Sequence, residues 1–485
     1  MAQTPVRRMD LLLIRPPDPF QDVSLLSHTR PMNLAYLAAY VRQHGISVRI
    51  LDYETTPYSD ADFLARLNDD TPAVVGVSCM TPTIRNGARI CSLAKRFSVD
   101  IVTVVGGPHA NGVPRLTLQE FRCFDYLVYG EGEATLLELC RRIQDGGSDE
   151  HINGLVFRAG DEVVQNPRRA LIKDLDTIPF PARDLIEYAP QPGHSVRGFS
   201  NKILSTEFFT SRGCPVGCNF CAVQTVFGRT VRFRDPSFIE AEIKELVRDY
   251  NFKHFVIADD TFTWKQDRAY ALCDILGRYG IEGWNCDTRV NAVTKPLLRA
   301  MKDSGCKKVC YGVESGSQRI LDLVGKKITV EQVERAVHWA KEAGIKHIEG
   351  NFIIGVEPSE TIEDFEKTRQ LVLSLPWTFV AISLIVPYPG TQVYNTMRSK
   401  GMLDDDIDWD DFVMFGKAPK WHTEHFSSRD LLRMQKELTR RFYLNPKYIL
   451  RELVSIRSWT EANYWFSAGF SYLRWYLGLG GYTSG

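Results

Sequence analysis

Three cysteines, Cys214, Cys218 and Cys221, stand in the run Thr210-Ser-Arg-Gly-Cys-Pro-Val-Gly-Cys-Asn-Phe-Cys. Thiolates this close can converge on one soft metal centre, and three of them leave one iron of a [4Fe–4S] cluster without a protein donor. An open coordination position is where chemistry happens, by the logic that separates open catalytic zinc sites from closed structural ones. Zinc itself would usually want a fourth Cys or His nearby. His194 and His254 are the nearest histidines, 20 and 33 residues from the closest of these cysteines. Inert buried thiols are the third reading, but they rarely cluster as three within eight residues flanked by Gly and Pro.

The spacing of three residues and then two, with Phe220 just before the last cysteine, resembles the signature of the radical S-adenosylmethionine (SAM) superfamily. The resemblance implies that the open iron chelates the amino and carboxylate groups of SAM. One electron, from an external donor of the flavodoxin or ferredoxin type, would then cleave SAM to a 5′-deoxyadenosyl radical.

The elements that must position this loop come next. A chain of 485 residues suits two or three domains. Its composition, 44% hydrophobic and 24% charged, is that of a globular protein. Basic and acidic residues number 59 each, so no global field argues for nucleic acid or an anionic surface. The first apolar run is a buried strand before Arg15, too short for a signal peptide. Eleven cysteines without a secretory signal fit a reducing cytosol, and a cytoplasmic enzyme is expected. The eight outside the loop, Cys306 and Cys310 included, read as small core hydrophobes rather than a second metal site.

Residues 9–145 alternate short β-branched runs with amphipathic segments. Strands are expected at Asp10–Arg15, Val48–Asp52, Val74–Ser78, Ile101–Gly106 and Tyr126–Tyr129. Regular β–α alternation of this kind predicts an α/β fold with a doubly wound, flavodoxin-like parallel sheet, whose ligands sit beyond the strands' carboxyl ends. This segment resembles the cobalamin-binding domain of the B12-dependent radical SAM enzymes, a group that includes C-methyltransferases and the anaerobic magnesium-protoporphyrin ester cyclase. The resemblance places cobalamin against Gly106 and Gly107, with Ser78 near its nucleotide tail and Gly130 and Glu131 opening the last helix of the domain. No Asp-x-His-x-x-Gly follows the first strand, so the usual lower axial histidine is missing, as it is in many of these enzymes. A degenerate domain without cobalamin is the other reading of that gap.

Four regions follow: a cobalamin-binding domain over 1–148, a connector over 149–204, a radical SAM core over 205–400 and a helical, aromatic-rich region over 401–485. The Pro179–Asp184 part of the connector could also line the entrance to a shared site. The core shows six strand-and-helix repeats, expected as a partial (β/α)6 barrel with its motifs at the strands' carboxyl ends. There Asp259 or Asp260 can accept from the SAM ammonium, and Glu314 in Tyr-Gly-Val-Glu-Ser-Gly matches the family's ribose-contacting glutamate. Arg289 is the candidate cation for the SAM carboxylate, with Lys326 and Lys327 as weaker ones. The adenine is expected against Ile354-Gly355 and Val386-Pro387-Tyr388.

The last stretch, Trp459–Tyr482, holds nine aromatic residues. Barrel-closing helices, a lid over an apolar substrate and an interfacial amphipathic helix all fit it, whereas Arg474 argues against a membrane span. The family resemblance implies methylation of an unreactive carbon of a small, possibly apolar molecule, with methyl passing from methylcobalamin to a substrate radical. Oxidative cyclisation of the protoporphyrin type is the alternative, and a non-catalytic sensor would not need the cysteine loop.

Overall fold

The computed structural model describes residues 9–19, 30–186, 205–404, 408–414 and 417–456, with single positions between 459 and 469. Strands β1 (Met9–Arg15), β2 (Val48–Asp52), β3 (Pro72–Ser78), β4 (Val102–Gly106) and β5 (Tyr126–Val128) pair in parallel, and β6 (Leu155–Ala159) and β7 (Glu162–Gln165) add an antiparallel edge. The order is β2-β1-β3-β4-β5-β6-β7, with the winding reversal between β1 and β3. Side chains alternate faces along each strand. Leu11 and Leu13 therefore pack with Leu34 and Leu136, while Leu12 and Ile14 pack with Phe63 and Ile84 under the opposite layer of helices. Each such buried side chain contributes about 1.5–3 kcal/mol. The hairpin β6–β7 falls within the span 149–204 expected as connector, yet it is part of this sheet because Leu155, Val156 and Phe157 complete the ladder on β5.

The second sheet contains β8 (Ser205–Phe208), β11 (His254–Ile257), β12 (Gly283–Thr288), β13 (Cys306–Glu314), β14 (His347–Ile354) and β15 (Phe379–Leu384). All pair in parallel and in chain order, as in a partial six-stranded barrel. Two short strands, β9 (Ser211–Arg212) and β10 (Arg232–Phe233), pair antiparallel beside it. Outward residues such as Phe255, Trp284, Tyr311 and Phe352 bury against the helices. Strand β8 ends at Phe208, because the Thr210 and Ser211 amides bond the Asp259 carboxylate.

The helix that ends at Gly112 in the first domain and the loop after β15 in the second meet backbone to backbone. A Cβ on Gly112 would lie 2.3 Å from the Pro389 carbonyl oxygen, and one on Gly390 2.8 Å from Gly112 Cα. Arg183 pins the connector: its guanidinium pairs with Glu242 at 2.8 Å and donates to the Glu207 carbonyl at 2.9 Å. This buried clamp differs from the expected lining of a site entrance, and residues 187–204 lie outside the described residues. Helix Ser428–Tyr443 closes the barrel flank by burying Leu431, Met434, Leu438 and Phe442, with Gln435 donating to the Ile382 carbonyl. Ahead of it, Trp409 straps back to the first domain, its indole N–H donating to Glu120 at 2.8 Å and its ring meeting that of His109 at 4.8 Å. Most of Trp459–Tyr482 lies outside the described residues. No described helix is long and apolar enough to cross a membrane.

Candidate active site

The cysteine loop leaves β9 through Gly213, whose φ of +97° and closeness to the Thr230 carbonyl (2.5 Å from an added Cβ) admit only glycine. Its far side is stitched to the barrel by Asn219, whose amide donates to the Val324 carbonyl at 3.0 Å while its own carbonyl accepts from Val393 at 3.1 Å. Cys214, Cys218 and Cys221 are all free thiols. Burial pushes Cys218 up and Cys221 to about 11, while Lys326 and Arg289 pull Cys218 down. A soft cation replaces such protons, which couples metal loading to pH. No three described His, Cys, Asp or Glu side chains are set as ligands of a single ion. A cubane takes each thiolate on a different iron, a donor set that three cysteines on one loop supply.

The two aspartates after β11 have different tasks. Asp259 accepts from both the amide and the hydroxyl of Thr210 and Ser211, which saturates its oxygens and anchors the strand entering the loop. It has no oxygen to spare for a SAM ammonium, a correction to the pairing of Asp259 with Asp260. Among the described residues, Asp260 accepts only from the Gly213 amide, at 3.1 Å. Burial raises its carboxyl to about 6, helped by Asp259 and Asp287.

Glu314 ends β13 at φ +71°, where a non-glycine residue is strained. A register shift between Gly312 and Glu314 marks a bulge, which re-aims the side chain across the sheet. The carboxylate lies over Gly312, within 2.7 Å of where its Cβ would be, and accepts from Lys326 Nζ. Arg289 donates to the Lys326 carbonyl and to Asn291 Oδ1, so it braces the lysine turn as well as facing the cysteines. Gly355 is placed otherwise than expected. Its amide bonds the buried Glu360 carboxyl and an added Cβ would face Ile385, Leu431 and Thr423 in the core. Ile353 and Tyr388 instead join Phe220 of the cysteine loop around Val386.

On the first domain, Ser78, Gly106 and Gly130 stand at or just beyond the carboxyl ends of β3, β4 and β5. A Cβ on Gly106 would meet only the Val128 carbonyl at 3.6 Å, leaving a smooth cradle of the kind a flat macrocycle needs. Ser78 Oγ accepts from Asn33 at 2.9 Å. Gly107 serves the turn instead: at φ +94°, an added Cβ would lie only 2.7 Å from the Cys79 backbone. Glu131 is also reassigned. Both its oxygens are taken, by Arg212 at 2.9 Å, Arg232 at 2.7 Å and the Ile172 amide at 2.8 Å.

The profile of the B12 binding domain matches residues 23–140 and that of the radical SAM superfamily residues 208–372. An uncharacterized methyltransferase of Pyrococcus horikoshii is 31% identical over 92% of this chain and 95% of its own length. The chain belongs to the cobalamin-binding radical SAM family. It is a radical SAM enzyme whose cofactors are a [4Fe–4S] cluster, SAM and cobalamin. The anaerobic magnesium-protoporphyrin IX monomethyl ester cyclase of Rubrivivax gelatinosus is 29% identical over 91% of the chain and 78% of its own length. The cobalamin-dependent radical enzyme OxsB shares the fold at a TM-score of 0.72 and 16% identity, over 97% of this chain and 72% of its own. The methyltransferase TsrM of Kitasatospora setae does so at 0.66 and 18%, over 81% and 75%.

In this radical SAM enzyme the barrel lumen holds a polar row that the sequence reading missed. Asp287, Cys310 and Glu349 are register partners on β12, β13 and β14, so they share a face. Lys308 pairs with Glu349 at 3.0 Å, and Asn351 donates to Cys310 Sγ at 3.2 Å. Asp287 lies deep in the barrel yet stays open to its lumen; burial raises its carboxyl against the pull of Lys308. Glu207, on the lumen face of β8, is raised to about 7 by burial despite Arg15 and Arg30. Polar residues at every second position of apolar strands were the available signal.

Proposed function

We propose that this enzyme methylates an unactivated carbon of a small molecule held between the two strand-end faces. The observation that carries the reading is the buried lock between them: Arg212, two residues before Cys214, pairs with Glu131 and Glu133, one and three residues after Gly130. That lock keeps the cysteine loop and the cradle at a set separation, which radical transfer between two cofactors requires. Cys214, Cys218 and Cys221 hold the cluster. Asp260 accepts from the SAM ammonium, Glu314 from its ribose, and Lys326 with Arg289 supplies positive charge. Gly106 and Gly130 line the corrin, with Ser78 near its nucleotide tail. When bound, these groups supply radical generation and methyl donation; the chain aligns them and excludes water. The open Asp287 carboxylate and the Lys308–Glu349 pair favour a substrate that puts hydrogen-bonding groups into the lumen, with any apolar part left outside it. An external flavodoxin- or ferredoxin-type donor in the cytoplasm provides the electron.

The relative from Pyrococcus horikoshii carries a methyltransferase name, which favours methylation over the cyclase reading. Anaerobically reconstituted holoenzyme, given SAM and dithionite, separates the two. Both 5′-deoxyadenosine and S-adenosylhomocysteine are expected, the first lost in Cys218→Ala. 5′-Deoxyadenosine without S-adenosylhomocysteine would overturn methyl transfer.

A further inference from the structure

The chain is neutral as a whole, but segment 428–456 carries seven basic residues against three acidic ones. Arg429, Arg433, Lys436 and Arg440 recur at spacings of four, three and four along helix Ser428–Tyr443, which puts them on one exposed stripe. The opposite stripe is buried on the barrel, so the cations face outward. One turn beyond Arg440, the stripe ends in exposed Leu444. Helix Pro446–Ser455 then buries Tyr448 and Glu452 and turns Ile449, Leu450, Leu453 and Val454 outward, Leu450 and Val454 each at 64% exposure. Trp459 and Phe466 continue the exposed apolar series at 92% and 71%. A contiguous apolar face beside a cationic one marks an interaction surface.

We propose that this face docks the enzyme on the surface of an anionic lipid bilayer. The apolar row enters the headgroup boundary and the cationic stripe lies over lipid phosphates, the arrangement of an interfacial helix rather than a spanning one. A second copy fits the face less well, because a two-fold contact would set the cationic stripe against itself. Helix Pro446–Ser455 is held at the amino-terminal side of β15, where Tyr448 OH donates to the Thr378 carbonyl at 3.0 Å. The apolar row is thus at the end of the barrel away from the cysteine loop, and the cationic stripe runs along the barrel flank.

Flotation of the holoenzyme with vesicles of equal parts phosphatidylcholine and phosphatidylglycerol, and of phosphatidylcholine alone, tests this. Binding to the anionic vesicles that weakens with salt is expected, with each charge removed in R433Q and R440Q costing about fivefold. L450E with L453E should abolish flotation while 5′-deoxyadenosine formation in solution is unchanged, which shows that the variant is folded. Protein that stays with the soluble fraction, or floats equally with both vesicles, overturns the proposal. So does a concentration-dependent dimer that L450E with L453E dissolves, which would assign the face to a second copy.

Discussion

Arg212 and Glu131 meet at 2.9 Å in a buried ion pair that joins the cysteine strand of one domain to the last helix of the other. Removing one partner of such a pair leaves an uncompensated buried charge and costs about 3–5 kcal/mol. Arg212→Ala should therefore lower the thermal midpoint and loosen cluster and cobalamin retention together, read by unfolding and by iron and cobalt content. Burial alone would raise the Glu131 carboxyl, but Arg232 and Arg212 hold it below the usual range. Its contribution is present above the ordinary carboxylate pKa and lost as pH falls through the depressed one. The acid sensitivity of the wild type should accordingly exceed that of Glu131→Gln.

Glu314 couples strained backbone to a charged partner, Lys326. Glu314→Gln should raise the KM for SAM by about tenfold, the loss of one charge-assisted hydrogen bond of about 1.5 kcal/mol. Cluster content should remain intact. An unchanged KM would remove Glu314 from the SAM site.

Asp260 tests the division of labour between the adjacent aspartates. With its carboxyl raised to about 6, it ionises, and can pair with an ammonium, only as pH rises through that value. SAM affinity measured by isothermal titration should strengthen between about pH 5 and 7 in the wild type, and this dependence should vanish in Asp260→Asn. Asp259→Asn should instead lower cluster occupancy, because it unties Thr210 and Ser211.

Glu207 is a buried carboxyl raised to about 7, chiefly by burial. A raised folded-state pKa means that its contribution to stability is full below the ordinary carboxylate pKa and is lost as pH rises through about 7. Thermal midpoints across that window should fall less steeply for Glu207→Gln than for the wild type. Parallel slopes would show that another group governs stability as pH rises to about 7.

Gly112 and Gly390 touch through their backbones. Gly112→Ala forces a methyl group onto the Pro389 carbonyl and should destabilise by about 1–3 kcal/mol or more. Limited proteolysis should then cut between the two sheets, within 166–204, faster than in the wild type.

The sequence by itself determined the cofactor chemistry and the layered plan. Three cysteines at fixed spacing, and strands and helices alternating at periods of two and 3.6, are local patterns, legible without knowing what packs on what. That placed Cys214, Asp260 and Glu314 at the carboxyl ends of their strands. Only the tertiary structure decided how neighbours of the same type divide the work. Asp259 and Asp260 are chemically alike, and it is the path of residues 210–213 that saturates one and leaves the other open. Glu131 became a lock, and Gly107 a turn glycine, because distant segments come to lie against them. The Asp287–Cys310–Glu349 row arises from register between three strands, more than sixty residues apart in sequence at its ends. Such contacts depend on how long-range pairing aligns the chain, and no single segment carries that information.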